Sequence, residues 1–171
     1  MNLQDAIKVA LDYEKKVRDH YANGAKTIAD ADGKKVFETL AVEEQGHVDF
    51  LEHCLDQWTK TGRVPATELK TVLPKGIGWI DAARQRLTEK PSKRVAAANE
   101  IELLKIALKM EDDTSTFYKE LVAKLAPDEQ PLFATFLDIE DGHMTIVQAE
   151  LDSVLGLGYW FDVPEFGLEG G

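Results

Sequence analysis

Phe37-x-x-Leu40-x-x-x-Glu44-x-x-His47-x-x-x-Leu51 steps by three and four residues, so on an α-helix these side chains share one face. A core-facing stripe should be apolar, yet the middle of this one is a carboxylate and an imidazole, groups that are costly to bury without a partner. The same spacing recurs 96 residues later in Phe133-x-x-Phe136-x-x-x-Glu140-x-x-His143-x-x-x-Val147. Two copies in register call for a shared partner, and a metal cation is the one that offsets such a burial.

The rest of the chain repeats in the same way. Ile7-Lys8-Val9-Ala10-Leu11-Asp12-Tyr13-Glu14 matches Leu104-Lys105-Ile106-Ala107-Leu108-Lys109-Met110-Glu111 at an offset of 97. Seven residues after each of these glutamates stands a tyrosine, Tyr21 and Tyr118. The chain therefore reads as two copies of one helical hairpin related by a pseudo-two-fold axis. Residues equidistant from a hairpin turn lie at similar height, which brings Glu14 level with Glu44 and Glu111 level with Glu140. Carboxylate oxygens and imidazole nitrogens suit iron, manganese or zinc. Four carboxylates and two histidines suit two such ions, whose charges they balance. Glu44 and Glu111 are candidate bridges, Glu14 and Glu140 terminal ligands, and His47 and His143 serve one ion each; the repeat allows the bridging and terminal roles to be exchanged pairwise.

The elements that must position these residues are helices. Apolar periodicity predicts them over about 3–29, 34–59, 95–125 and 132–155, with Asp30-Ala31-Asp32-Gly33 and Ala126–Pro131 as tight breaks. Residues 60–94 carry Pro65, Pro74, Gly76, Gly78 and Pro91, with room for a short helix at Trp79–Leu87. Short connections make antiparallel hairpins of the first and last helix pairs, while the long one allows a crossover along the bundle. One all-α domain over 1–155 is expected, followed by an aromatic, glycine-rich tail at 156–171 that lies against the bundle or a neighbouring subunit. Outside the six ligand candidates, Glu43 is expected at the surface, His20 and His53 as ordinary, partly exposed histidines, and Trp58, Trp79 and Trp160 as packing residues.

Composition limits the partners. A net charge of −11 over 171 residues argues against nucleic acid and against an anionic membrane surface. Cys54 is the single cysteine, which leaves no internal disulfide, Cys₄ metal site or iron–sulfur cluster; it is expected as a small apolar group on a helix. The N-terminal residues lack a basic region followed by an apolar run, and no stretch reaches membrane-spanning length, so a cytoplasmic location is expected.

On Glu14, Glu44-x-x-His47, Glu111 and Glu140-x-x-His143, the chain resembles the ferritin-like di-iron domain of the rubrerythrin family over nearly its whole length. The resemblance implies a ferritin-like four-helix bundle with one long crossover between helices 2 and 3. It also implies a non-haem di-iron centre that reduces hydrogen peroxide in oxidative-stress defence, Tyr21 and Tyr118 as tyrosines bonded to ligand carboxylates, and a homodimer or larger assembly. Two departures stand out. The single cysteine cannot build the rubredoxin-type iron site common in the family, so reduction needs an external donor such as a rubredoxin or a flavoprotein. The family's extra Glu, three residues after the helix-3 ligand, is Thr114 here, and Asp113 lies about 200° round the helix from Glu111. That ligand set is closer to bacterioferritin, which makes a ferroxidase the alternative reading. An oxygen-activating di-metal oxidase and a bundle merely stabilised by its metal come after it.

Overall fold

The computed structural model describes residues 2–65, 69–71 and 97–156. Four helices account for most of them: α1 (Leu3–Gly24), α2 (Ala31–Thr61), α3 (Ala98–Lys124) and α4 (Gln130–Val154). Among the described residues no strand forms, and no helix is long and apolar enough to cross a membrane. The fold is an all-α four-helix bundle.

The helix ends follow local chemistry, and they correct the expected boundaries by a few residues. The Asn2 side chain accepts from the Asp5 amide and caps α1. Asp30, expected within a break, is instead the N-cap of α2, its Oδ1 accepting from the amides of Asp32 and Gly33. That moves the start of α2 forward to Ala31. α1 stops at Gly24 rather than near residue 29. The next amides fold back on Asn23 and Gly24 in a tight turn, and the buried side chain of Ile28 closes it. α2 ends on Gly62 in the left-handed region at φ 69°, where glycine carries no steric penalty.

Three glycines inside or at the end of these helices have opposite meanings. A Cβ on Gly24 would stand 2.6 Å from the ring of Phe37, so this glycine lets the end of α1 close onto α2. A Cβ on Gly46 or Gly142, each lying between the Glu and the His of its pair, would meet nothing within 4 Å. Glycine in a helix interior is about 1 kcal/mol worse than alanine. Gly46→Ala and Gly142→Ala are therefore expected each to raise stability by roughly 1 kcal/mol, read as a higher urea midpoint, whereas Gly24→Ala lowers it.

α1 packs on α2 and α3 on α4, and α1 also lies against α3. α1 and α3 run antiparallel: Tyr13 stacks on Phe117 at 4.6 Å, while further along Asn99 Nδ2 donates to the Thr27 carbonyl. α2 and α4 also run antiparallel, with Phe50 beside Phe136 and Glu44 beside His143. α2 consequently ends, and α3 begins, at opposite ends of the bundle. Leu69 is buried in the core, and Thr71 meets Glu43 partway back along α2. Residues 72–96, with the expected crossover and the short helix at Trp79–Leu87, lie outside the described residues, as do Trp160 and the tail from 157.

The apolar core comes in two blocks. One gathers Val17, Tyr21, Val36, Phe37, Leu40, Leu104 and Val147; the other gathers Ile7, Leu51, Cys54, Tyr118, Phe133 and Phe136. Residues paired by the repeat fall in opposite blocks: Ile7 against Leu104, Phe37 against Phe133, Leu51 against Val147, Tyr21 against Tyr118. The pseudo-two-fold axis therefore crosses the bundle between the blocks. Cys54 is the buried apolar group expected, its thiol pushed up to about 11 by burial. Trp58 packs partly buried against the second block.

Candidate metal centre

Between the two blocks lies a layer of charge. α1 delivers Glu14, α2 delivers Glu44 and His47, α3 delivers Glu111, and α4 delivers Glu140 and His143; none of the six exposes any surface. Each arrives there because it replaces an apolar residue in its helix's core stripe.

The geometry around the histidines is close to symmetric. His47 Nδ1 lies 3.0 Å from Glu14 Oε2, 3.2 Å from Glu44 Oε2 and 3.3 Å from Glu140 Oε1. His143 Nδ1 lies 2.7 Å from Glu44 Oε1, 3.6 Å from Glu140 Oε2 and 3.9 Å from Glu111 Oε1. Glu44 and Glu140 thus each present one oxygen to either histidine. The two imidazoles stack with centroids 5.3 Å apart and planes 9° from parallel. Two overlapping groups of four have metal-binding dimensions, Glu14, Glu44, His47 and Glu140, and Glu44, Glu111, Glu140 and His143, with donor atoms within 4.8 Å of one another in each; Glu43, His47 and His143 form a third group of the same dimensions.

This arrangement alters one expectation. The carboxylates that span both groups are Glu44 and Glu140, whereas Glu111 reaches only the His143 side. Symmetry rules out a mixed pair, because the axis exchanges Glu44 with Glu140 and Glu14 with Glu111, and of those two pairs only Glu44 with Glu140 lies in both groups of four.

Both tyrosines bond to carboxylates of the layer. The Tyr21 hydroxyl donates to Glu111 Oε1 and the Tyr118 hydroxyl to Glu14 Oε1, each bond crossing between α1 and α3. One tyrosine approaches the layer from each apolar block. Thr114 is buried, but its hydroxyl donates to the Met110 carbonyl within its own helix and so adds no donor to the cluster.

Other expectations divide. His20 is half-buried, with Nε2 2.9 Å from the Leu103 carbonyl oxygen, and His53 is exposed; neither joins the cluster. Glu43 is a correction. It is 6% exposed, not a surface residue; its Oε2 accepts from Thr71 Oγ1 and lies 4.0 Å from His143 Nε2. The repeat hid it, because its counterpart in the other hairpin is the buried Ile139. A surface cleft of about 400 Å³ between α1 and α3, lined by Lys16, His20, Asn23, Leu103 and Met110 among others, includes none of the six residues.

Burial and mutual proximity set the electrostatics of the layer. Burial, reinforced by Glu140 and Glu44, raises the pKa of Glu14; burial with Glu44 and Glu140 does the same for Glu111. Burial would also raise Glu44, but His47 and His143 outweigh it and hold Glu44 well below the usual carboxylate range. Burial likewise disfavours charge on the histidines, yet the surrounding carboxylates raise both above the ordinary imidazole value. Protons thus do part of the neutralising. They do so incompletely as hydrogen bonding goes: both oxygens of Glu44 and of Glu140, Glu111 Oε2, His47 Nε2 and both ring nitrogens of His143 find no aligned hydrogen-bond partner. Buried polar atoms in native proteins are nearly always satisfied. Orphaned oxygen and nitrogen donors converging on one place fit a divalent cation, and the donor set could hold one on each side of the axis.

No family model, curated protein or solved structure matches the chain.

Proposed function

We propose that this protein is a non-haem di-iron oxidoreductase of the rubrerythrin type, reducing hydrogen peroxide to water with electrons from an external donor such as a rubredoxin or a flavoprotein. The observation that carries the reading is the sharing of Glu44 and Glu140 between two ligand groups, each completed by one histidine and one further glutamate. Manganese and zinc suit the same donors; iron adds the redox chemistry. Two iron ions held by Glu14, Glu44, His47, Glu111, Glu140 and His143 would supply one electron each to a peroxide O–O bond, with two protons completing two water molecules.

The chain's own contribution is positioning and exclusion. Tyr21 and Tyr118 fix the terminal carboxylates of Glu111 and Glu14. Burial, together with those same carboxylates, raises both phenol pKa values, so the tyrosines stay protonated and keep donating. Phe136 packs edge-on against His47 and, with Tyr118 and Phe133, closes one side of the layer to bulk water.

Stopped-flow mixing of the iron(II)-loaded protein with peroxide and, separately, with oxygen tests the proposal. Peroxide is expected to oxidise it faster; faster oxidation by oxygen counts against peroxide reduction. Thr114 favours a second reading, since the cluster is left with the six ligands of a bacterioferritin-type ferroxidase. That function needs a cage to receive the iron, so sedimentation that finds a dimer rules it out.

A further inference from the structure

Glu43 is the residue that breaks the symmetry of the centre. It precedes Glu44 on α2, is nearly fully buried, and is gripped by the hydroxyl of Thr71 from the connection beyond α2. The Nδ1 atom of His143 faces the carboxylates of the layer, while Nε2, on the other edge of the ring, is 4.0 Å from Glu43 Oε2. That nitrogen is buried and has no aligned hydrogen-bond partner. A ring nitrogen of His47 also stands within 4.8 Å of Glu43's ligand atom, farther off than that of His143. At the position related by the repeat is Ile139, which cannot accept a hydrogen bond.

We propose that Glu43 is a positioning residue for His143: held by Thr71, its carboxylate accepts the Nε2–H of that imidazole and so keeps the Nδ1 lone pair aimed at the metal. An imidazole that offers one nitrogen to a metal must carry its proton on the other, and a carboxylate there fixes both tautomer and ring orientation while raising ligand basicity. The 4.0 Å separation is longer than a hydrogen bond and is closed by a turn of the Glu43 carboxylate or by one bridging water. Because Ile139 offers no such partner, the two ions sit in unequal sites, the one beside His143 being the tighter. The inference rests on His143 Nδ1 being a metal ligand.

Zinc(II) is the probe, since it is redox-silent and leaves the protein accessible to NMR. The wild-type protein is expected to bind two zinc ions with different affinities and to show a slowly exchanging Nε2–H on His143. In Glu43→Ala one of the two affinities falls about 10–100-fold, that N–H exchanges rapidly, and the weaker site is unchanged. Glu43→Gln, whose amide oxygen can still accept, restores much of the protection. Thr71→Val leaves Glu43 in place and gives a smaller change of the same sign, which decides the matter if Glu43→Ala does not fold. Two zinc ions bound by the wild type, with unchanged affinities and unchanged N–H exchange in Glu43→Ala or, failing that, in Thr71→Val, would overturn the role of Glu43 alone. A wild-type chain that binds no zinc, iron or manganese removes the reading beneath it.

Discussion

Glu44→Gln and Glu140→Gln are each expected to abolish tight binding of both metal ions, whereas Glu14→Gln or Glu111→Gln should weaken only one. The difference follows from the oxygens: Glu44 presents Oε2 to His47 and Oε1 to His143, and Glu140 divides its oxygens in the same way. Structural zinc sites are worth roughly 10–16 kcal/mol across four ligands. One ligand is then worth about 3 kcal/mol, or on the order of a hundredfold in affinity for each ion it touches. Losing a shared carboxylate weakens both ions by that factor and also removes the charge that holds two cations close together. Titration against a chromophoric chelator reads stoichiometry and affinity at once. If Glu111→Gln lost both ions while Glu140→Gln lost one, Glu111 would be the bridge, as the sequence alone suggested.

Metal uptake should also be steeply dependent on pH and should expel protons. In the metal-free centre His47, His143, Glu14 and Glu111 all have raised pKa values, so each still holds its proton at a pH where an exposed counterpart has given it up. A metal ligand must be deprotonated. Affinity is accordingly full above these raised values and falls as pH drops through them. Where all four groups hold their protons, each ion displaces two of them, so the slope approaches about two logarithmic units of affinity per pH unit and filling the centre releases about four protons. Calorimetry in buffers of different ionisation enthalpy measures that number directly. Fewer than about one proton per ion would mean that the layer is already deprotonated and that the carboxylate–histidine pairing described above is wrong.

How much of this was legible in the sequence depended on periodicity. Glu14, Glu44, His47, Glu111, Glu140 and His143 were visible because charged residues stood where a helical stripe required apolar ones, and because the chain repeated the anomaly. Tyr21 and Tyr118 were visible by the same repeat. The choice of bridge was less so: two residues at one height look alike along a helix, and only the position of the axis separates a carboxylate facing both histidines from one facing a single histidine. Glu43 was missed for the opposite reason. It has no counterpart in the second hairpin, and it is met by Thr71, a residue from chain beyond α2 that carries no periodicity. Asp30 was read as a break when it begins α2. The same Asp serves a turn or an N-cap equally well, and the difference lies in whether the following amides point at its side chain.

The hydroxyl of Tyr21 is spent on a carboxylate of the second hairpin, and that of Tyr118 on a carboxylate of the first. Neither hairpin is therefore self-sufficient: severed from its twin, each would strand its phenol in an oily seam and leave two acids and an imidazole with only one another to answer them. The halves have reason to fold as one cooperative unit. A polypeptide spanning only α1 and α2 would find its missing complement most readily in a second molecule of itself, since Glu14, Tyr21, Glu44 and His47 taken twice reproduce the whole set.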